Sequence, residues 1–164
     1  MEVPEAVEML ENSNVFKQWK KQNPESYLTY AFIMMEKNHE TDWQLGYYKK
    51  NNDTITSFTL GAEISVSEDN EIIKQNNIIE QLDVKKIKFS LNEILKVCQE
   101  LQCKKYPQDK PAKIIAILHV LHDFGQVWNI TYLTERINTL NFKIKSDTKE
   151  IVHDELKALI EFKN

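Results

Sequence analysis

Apolar residues first gather at helical spacing. Val3, Val7 and Leu10 recur every three or four positions, and Phe16 and Trp19 repeat the interval. Between them Asn12, Ser13 and Asn14 interrupt the stripe and offer a second cap. Pro4 suits a first helical turn, and Asn23-Pro24 stops the run. The pattern predicts a broken helix over 4–22. From Tyr27 the period changes. A run of aromatic and branched residues over 27–34 reads as a strand, and so does 43–49. Beyond the turn at Asn51-Asn52-Asp53, residues 54–58 alternate apolar and polar. Gly61 ends that strand, and Ile64 and Val66 add a short one. Residues 67–83 are polar and read as a linker, with turns of helix at Ile72-Ile73 and Ile78-Ile79.

The sharpest local signal follows. Ser90-Leu91-Asn92-Glu93 is a capping box, and Phe89 can staple onto Ile94. Leu91, Ile94, Leu95, Cys98 and Leu101 form one stripe. The helix ends near Tyr106-Pro107, with Lys104 and Lys105 in its last turn, where the dipole favours cations. Residues 114–121 fit a buried strand or a helix. Residues 127–133 and 140–145 read as strands. Ile151, Val152, Leu156, Leu159 and Ile160 lie at helical spacing, yet Asp147 to Glu150 can also turn a hairpin, so 148–161 stays open.

A repeat resolves part of this. Shifted by 85 residues, Trp43-Gln44-Leu45-Gly46-Tyr47 falls on Trp128-Asn129-Ile130-Thr131-Tyr132. Ala31, Phe32, Ile33 and Met35 fall on Ala116, Ile117, Leu118 and Val120. An amphipathic helix ending before a proline (Pro24, Pro107) precedes each segment. Residues 114–121 become a strand by this analogy. The expected fold is α+β: two αβββ repeats, each a helix packed on an antiparallel sheet. The expected boundaries are 1–66 for the first repeat, 67–83 for the linker and 84–164 for the second. Neither half has much core alone, so the two pack together or share a sheet.

The second half carries a resemblance. The helix 91–105, the strand ending before Gly125, Val127-Trp128-Asn129-Ile130-Thr131, Asn141-Phe142-Lys143-Ile144, and Thr148 with Glu150-Ile151-Val152 follow one another in order. In this, residues 88–155 resemble the PepSY domain, with its cystatin-like helix on a sheet. Lys145 stands where that family has an aspartate, and Lys149 where it has a glycine. The resemblance implies a non-catalytic domain that binds or restrains peptidases or mediates protein contacts. The acidic start, Met1-Glu2-Val3-Pro4-Glu5, has no apolar leader-like run, so a cytoplasmic, stand-alone prokaryotic member is expected.

Composition narrows the partners. The chain has 164 residues, 41% hydrophobic and 28% charged, with a net charge of -4. That balance gives no preference for polyanions, and no apolar run reaches the roughly 18 residues of a membrane span. Among 21 basic residues only Arg136 is arginine. Sequence-specific nucleic-acid reading, which relies on the guanidinium fork, is not expected. Cys98 and Cys103, five apart on a helix, point about 140° away from each other. They are expected as free thiols of a reducing compartment.

Catalytic candidates are thin. His119 and His122, beside Asp123, could chelate a metal on a helix but face opposite ways on a strand. Cys98 reads as a core hydrophobe. The carboxylates Glu63, Glu68, Asp69 and Glu71 lie in polar sequence where nothing raises a pKa. Three glycines leave no phosphate cradle. No catalytic residue, metal or cofactor is expected. Lysines cluster at Lys17/Lys20/Lys21, Lys85/Lys86/Lys88 and Lys104/Lys105/Lys110. Trp43, Tyr47, Tyr48, Trp128 and Tyr132 sit on equivalent strands, either as core beneath the helices or as anchors for a partner. The functional expectation is a non-enzymatic module binding a protein or peptide, with a peptidase as target or a second copy as partner. A nucleic-acid- or ribosome-associated factor using the lysine patches, and a small metal-dependent enzyme using His119 and His122, are the alternatives.

Overall fold

The computed structural model describes residues 1–37, 39–69 and 79–159. Two short helices, α1 (Val3–Asn12) and α2 (Asn14–Gln22), open the chain. The break falls at Ser13, whose hydroxyl accepts from the Phe16 amide at 3.1 Å and caps α2. Glu2 and Glu5 form a capping box on α1 that the sequence pattern did not announce. Five strands follow: β1 (Tyr27–Glu36), the two-residue β2 (His39–Glu40), β3 (Gln44–Lys49), β4 (Thr54–Leu60) and β5 (Ile64–Asp69). A 3-10 turn (Val84–Lys86) leads to α3 (Leu91–Lys105), capped reciprocally by Ser90 and Glu93 as predicted. Then come β6 (Pro111–Leu121), β7 (Gly125–Thr134), β8 (Asn138–Lys145) and β9 (Ile151–Ala158).

All strands join one antiparallel sheet in the order β5-β4-β3-β1-β6-β7-β8-β9, with β2 paired to β1. From the central β1–β6 seam each half of the chain meanders outward to its own edge. At the seam Phe32 pairs with Ile117. Residues 114–121 are therefore strand, and the undecided 148–161 contain β9. Three strands per half fall short of the observed four long ones. The additional strands are the edges, β5 and β9. An edge strand has one neighbour, and β9 is half-buried and then exposed along its length, so its sequence shows no alternation. β5 runs to Asp69, past the boundary expected at 66. Most of the expected linker, with Glu71 and the turns at Ile72-Ile73 and Ile78, lies outside the described residues, as does Ile160.

One face of the sheet builds a single core with all three helices. Ala31, Ile33, Trp43, Leu45, Tyr47 and Phe58 contribute from one half, and Ala116, Leu118, Trp128, Ile130, Tyr132 and Phe142 from the other. The Trp43 and Trp128 rings meet across the seam at 6.4 Å. Val3, Ala6, Val7, Leu10 and Phe16 close the core from α1 and α2, and Leu91, Ile94 and Cys98 from α3. A register shift between Leu28 and Tyr30 adds one residue to β1, which returns Leu28 to the core side. On the opposite face the side chains of the other parity emerge, and no described helix covers them. No described helix is long and apolar enough to cross a membrane.

Candidate functional site

The five aromatic residues considered as partner anchors are not at a surface. Trp43, Tyr47, Tyr48, Trp128 and Tyr132 are each at most 9% exposed. Four of them lie under the helices, because burying such large rings removes the most apolar area from water. Trp43 donates from Nε1 to the Met1 carbonyl at 3.0 Å. Tyr48 faces the other side, edge-on to Tyr27, and donates to Asp53 at 2.5 Å. That bond, with burial, pushes Tyr48 up to about 12.

The uncovered face carries the apolar residues that a partner could reach. Pairing across the seam sets Phe32 beside Ile117 and Met34 beside Ile115, all half-buried. Tyr30 lies flat across Gly46, where a Cβ would come within 2.1 Å of its ring. Next to the stripe, β7 and β8 hold a polar ladder. Asn141 donates to Asn129 at 2.6 Å and to Thr131 at 2.9 Å, and Lys143 donates to Asn141 at 3.0 Å. Lys145 reaches the Phe124 carbonyl, and Lys113 pairs with Glu36 across the seam. An apolar centre, ordered amides and a basic rim thus lie together on this face.

The other candidates do not converge. His119 lies on the uncovered face opposite Tyr30 and Val127, whereas Cys98 is buried on the helix side of the sheet. His122 is in the β6–β7 turn. Among the described residues no three His, Cys, Asp or Glu side chains group as metal ligands. Burial, with the nearby Lys143, pushes His119 down to about 4, and burial raises the Cys98 thiol. Each helix-end lysine cluster commits a member to the fold. Lys20 donates to the Ser26 carbonyl and hydroxyl, and Lys105 bridges Asp154 at 2.5 Å.

Two clefts open beneath the helices, and each has a tyrosine at its floor. One, of about 840 Å³, lies between α1 and the segment 81–85 and includes Tyr47 and Glu11. The other, of about 720 Å³, lies between α3 and β6–β7 and includes Tyr132, Cys103, Lys96 and Lys110. The sequence pattern reached the two tyrosines and Lys110 but missed Glu11 and Lys96. Tyr47 and Glu11 are 36 residues apart, and no spacing rule links them.

No protein-family profile matches the chain, and no curated protein matches it. A similar solved structure is that of a Clostridium difficile 630 protein described as a "putative lipoprotein". It aligns with a TM-score of 0.55 and 11% identity over 88% of this chain and 91% of its own. At that identity the likeness shows the fold alone, a mixed α+β arrangement.

Proposed function

We propose that this protein is a non-catalytic module that binds a protein or peptide on the uncovered sheet face. The observation that carries the reading is the stripe of Phe32, Met34, Ile115 and Ile117 on the two central strands, with no described helix over it. Apolar side chains at the middle of a wide sheet are where a partner gains most from burial. A peptidase is the partner class that the PepSY resemblance implies. In support of that resemblance, Lys149, at the family's glycine position, adopts φ 63°, the left-handed conformation glycine favours. A cytoplasmic location belongs to the same proposal, on the ground that Cys98 and Cys103 are free thiols.

The two-repeat organisation is part of this reading. It is supported by the outward meander of each half and by the seam itself. Phe32 and Ile117, matched by the 85-residue shift, are also direct partners, as two-fold-related residues at an axis must be. Trp43 and Trp128, matched by the same shift, touch each other.

The test is a tagged pull-down comparing the native chain with a Phe32→Thr, Ile117→Thr variant, since threonine keeps strand propensity while removing apolar area. The expected result is a stoichiometric protein that survives nuclease and high salt and is lost from the variant, with circular dichroism unchanged. Equal capture by both chains refutes the sheet face. Capture of RNA or ribosomal proteins that nuclease or salt removes transfers the function to the lysines.

A further inference from the structure

Tyr47 and Tyr132 occupy matching positions. Each lies on the second long strand out from the seam. Each meets a phenylalanine of the next strand edge-on, Tyr47 with Phe58 at 5.8 Å and Tyr132 with Phe142 at 5.2 Å. Each also contributes to the floor of a cleft. Their hydroxyls differ. The chain gives Tyr47 a carboxylate: Glu11 Oε1 accepts its proton at 3.1 Å. The Tyr132 side chain is only 2% exposed, yet its hydroxyl opens into the cleft and meets no acceptor among the described residues. A hydroxyl that no protein group accepts and that opens into a cleft can exchange its water for a ligand that supplies an acceptor. Burial raises the Tyr132 hydroxyl and keeps it a neutral donor.

The rest of that cleft states the ligand's chemistry. Leu95, Pro111 and Ile114 give it apolar walls. Lys96 and Lys110 line it and form no ion pair among the described residues, while Glu135 contributes one negative charge. A cleft of about 720 Å³ is the size of a small-molecule site. We propose that it binds a small amphipathic carboxylate, which accepts from the Tyr132 hydroxyl, is neutralised by Lys96 and Lys110, and lays its apolar body on Leu95, Pro111 and Ile114. Glu11 against Tyr47 is the built-in form of the same contact. The inference rests on the correspondence of the two halves and is independent of partner binding on the sheet face.

Cys103 makes the site testable in the full chain. It lines this cleft and is exposed, whereas Cys98 is buried and serves as an internal control for unfolding. The probe is octanoate, the reagent iodoacetamide, and the readout site-resolved mass spectrometry. Octanoate is expected to slow Cys103 alkylation saturably, by about fivefold once it exceeds its dissociation constant several times. Octanol and octylamine, with the same body, should give little protection. Tyr132→Phe should raise the octanoate concentration required about tenfold. Lys96→Gln with Lys110→Gln, exposed and neutral to folding, should weaken it as well. Tyr47→Phe should leave it unchanged. Equal protection by octanol, undiminished protection in Tyr132→Phe, or no protection at all overturns the proposal. So does protection that is lost only in the Phe32→Thr, Ile117→Thr variant, which would move octanoate to the sheet face.

Discussion

The two halves follow one strand plan under different covers. Over β3 and β4 lie two short helices that add their own aromatic rings. Phe16 meets Tyr47 at 4.8 Å and Phe58 at 5.4 Å, and Trp19 meets the same two rings at 5.9 and 5.1 Å. Over β7 and β8 lies one longer helix, α3, which contributes Ile94, Cys98 and Gln102 but no aromatic ring. It is fastened at its ends instead, by the Ser90–Glu93 box and by Lys105 and Tyr106 donating to Asp154. Sheet pairing dictates which residues are buried, while the cover decides which buried polar groups find partners. The two matched tyrosines show the difference: Tyr47 donates to Glu11 of α1, whereas the Tyr132 hydroxyl opens into the cleft beneath α3 with no acceptor among the described residues.

The largest test of that contrast is in the core. Phe58 and Phe142 are both fully buried. Replacing either by alanine should cost about 3–5 kcal/mol. Phe58 also loses ring contacts with Phe16, Trp19 and Tyr47, whereas Phe142 loses one with Tyr132. Phe58→Ala should therefore exceed Phe142→Ala by about 1 kcal/mol in urea unfolding. Equal losses, or the reverse order, would mean that the aromatic cover adds no stability beyond area.

These differences were unevenly legible in the sequence. The Ser90–Glu93 box and the proline stops marked helix ends because capping chemistry is local. The 85-residue shift turned 114–121 from an ambiguous run into a strand. The uncovered stripe was harder to see, since 27–35 and 114–121 are apolar at both parities and alternation assigns no face there. The signal was nonetheless present. Two doubly apolar strands, with helices enough for one face, leave the other face bare. The aromatic repeat pointed to the correct strands but not to exposure, because ring size favours the core. The clefts were invisible, as they depend on contacts such as Tyr47 with Glu11 that fold topology alone brings together.

A second contrast concerns protons. The 85-residue shift sets Met34 of one half against His119 of the other, and both lie on the uncovered face. Burial, aided by Lys143, holds His119 neutral down to about pH 4. In the unfolded chain a histidine protonates near 6.5. The unfolded state thus binds the proton first, and stability should fall as pH drops from about 6.5 to about 4, by at most about 3 kcal/mol. The carboxylates of Glu36, Glu93, Asp154 and Glu155 are all held below their usual range. Their stabilisation is intact above about pH 5 and is lost progressively below it, so the part of the window above pH 5 isolates His119. His119→Met should flatten the upper part of the profile in thermal melts at stepped pH. An unchanged slope would assign the effect elsewhere.

The smallest effect separates the two tyrosines most directly. Tyr47→Phe removes a hydroxyl that donates to Glu11, a side chain exposed enough to be rehydrated, so the loss should be about 1 kcal/mol. Tyr132→Phe removes a hydroxyl that no described residue accepts and that the cleft leaves in reach of water, so stability should hold within a few tenths of a kcal/mol. Saturating octanoate should then raise the melting temperature of the native chain and of Tyr47→Phe, and leave Tyr132→Phe nearly where it was. Equal costs for the two phenylalanine variants would mean that Tyr132 already has an acceptor. The contrast between the halves would then reduce to packing, and the cleft beneath α3 would have no unmet donor to offer a ligand.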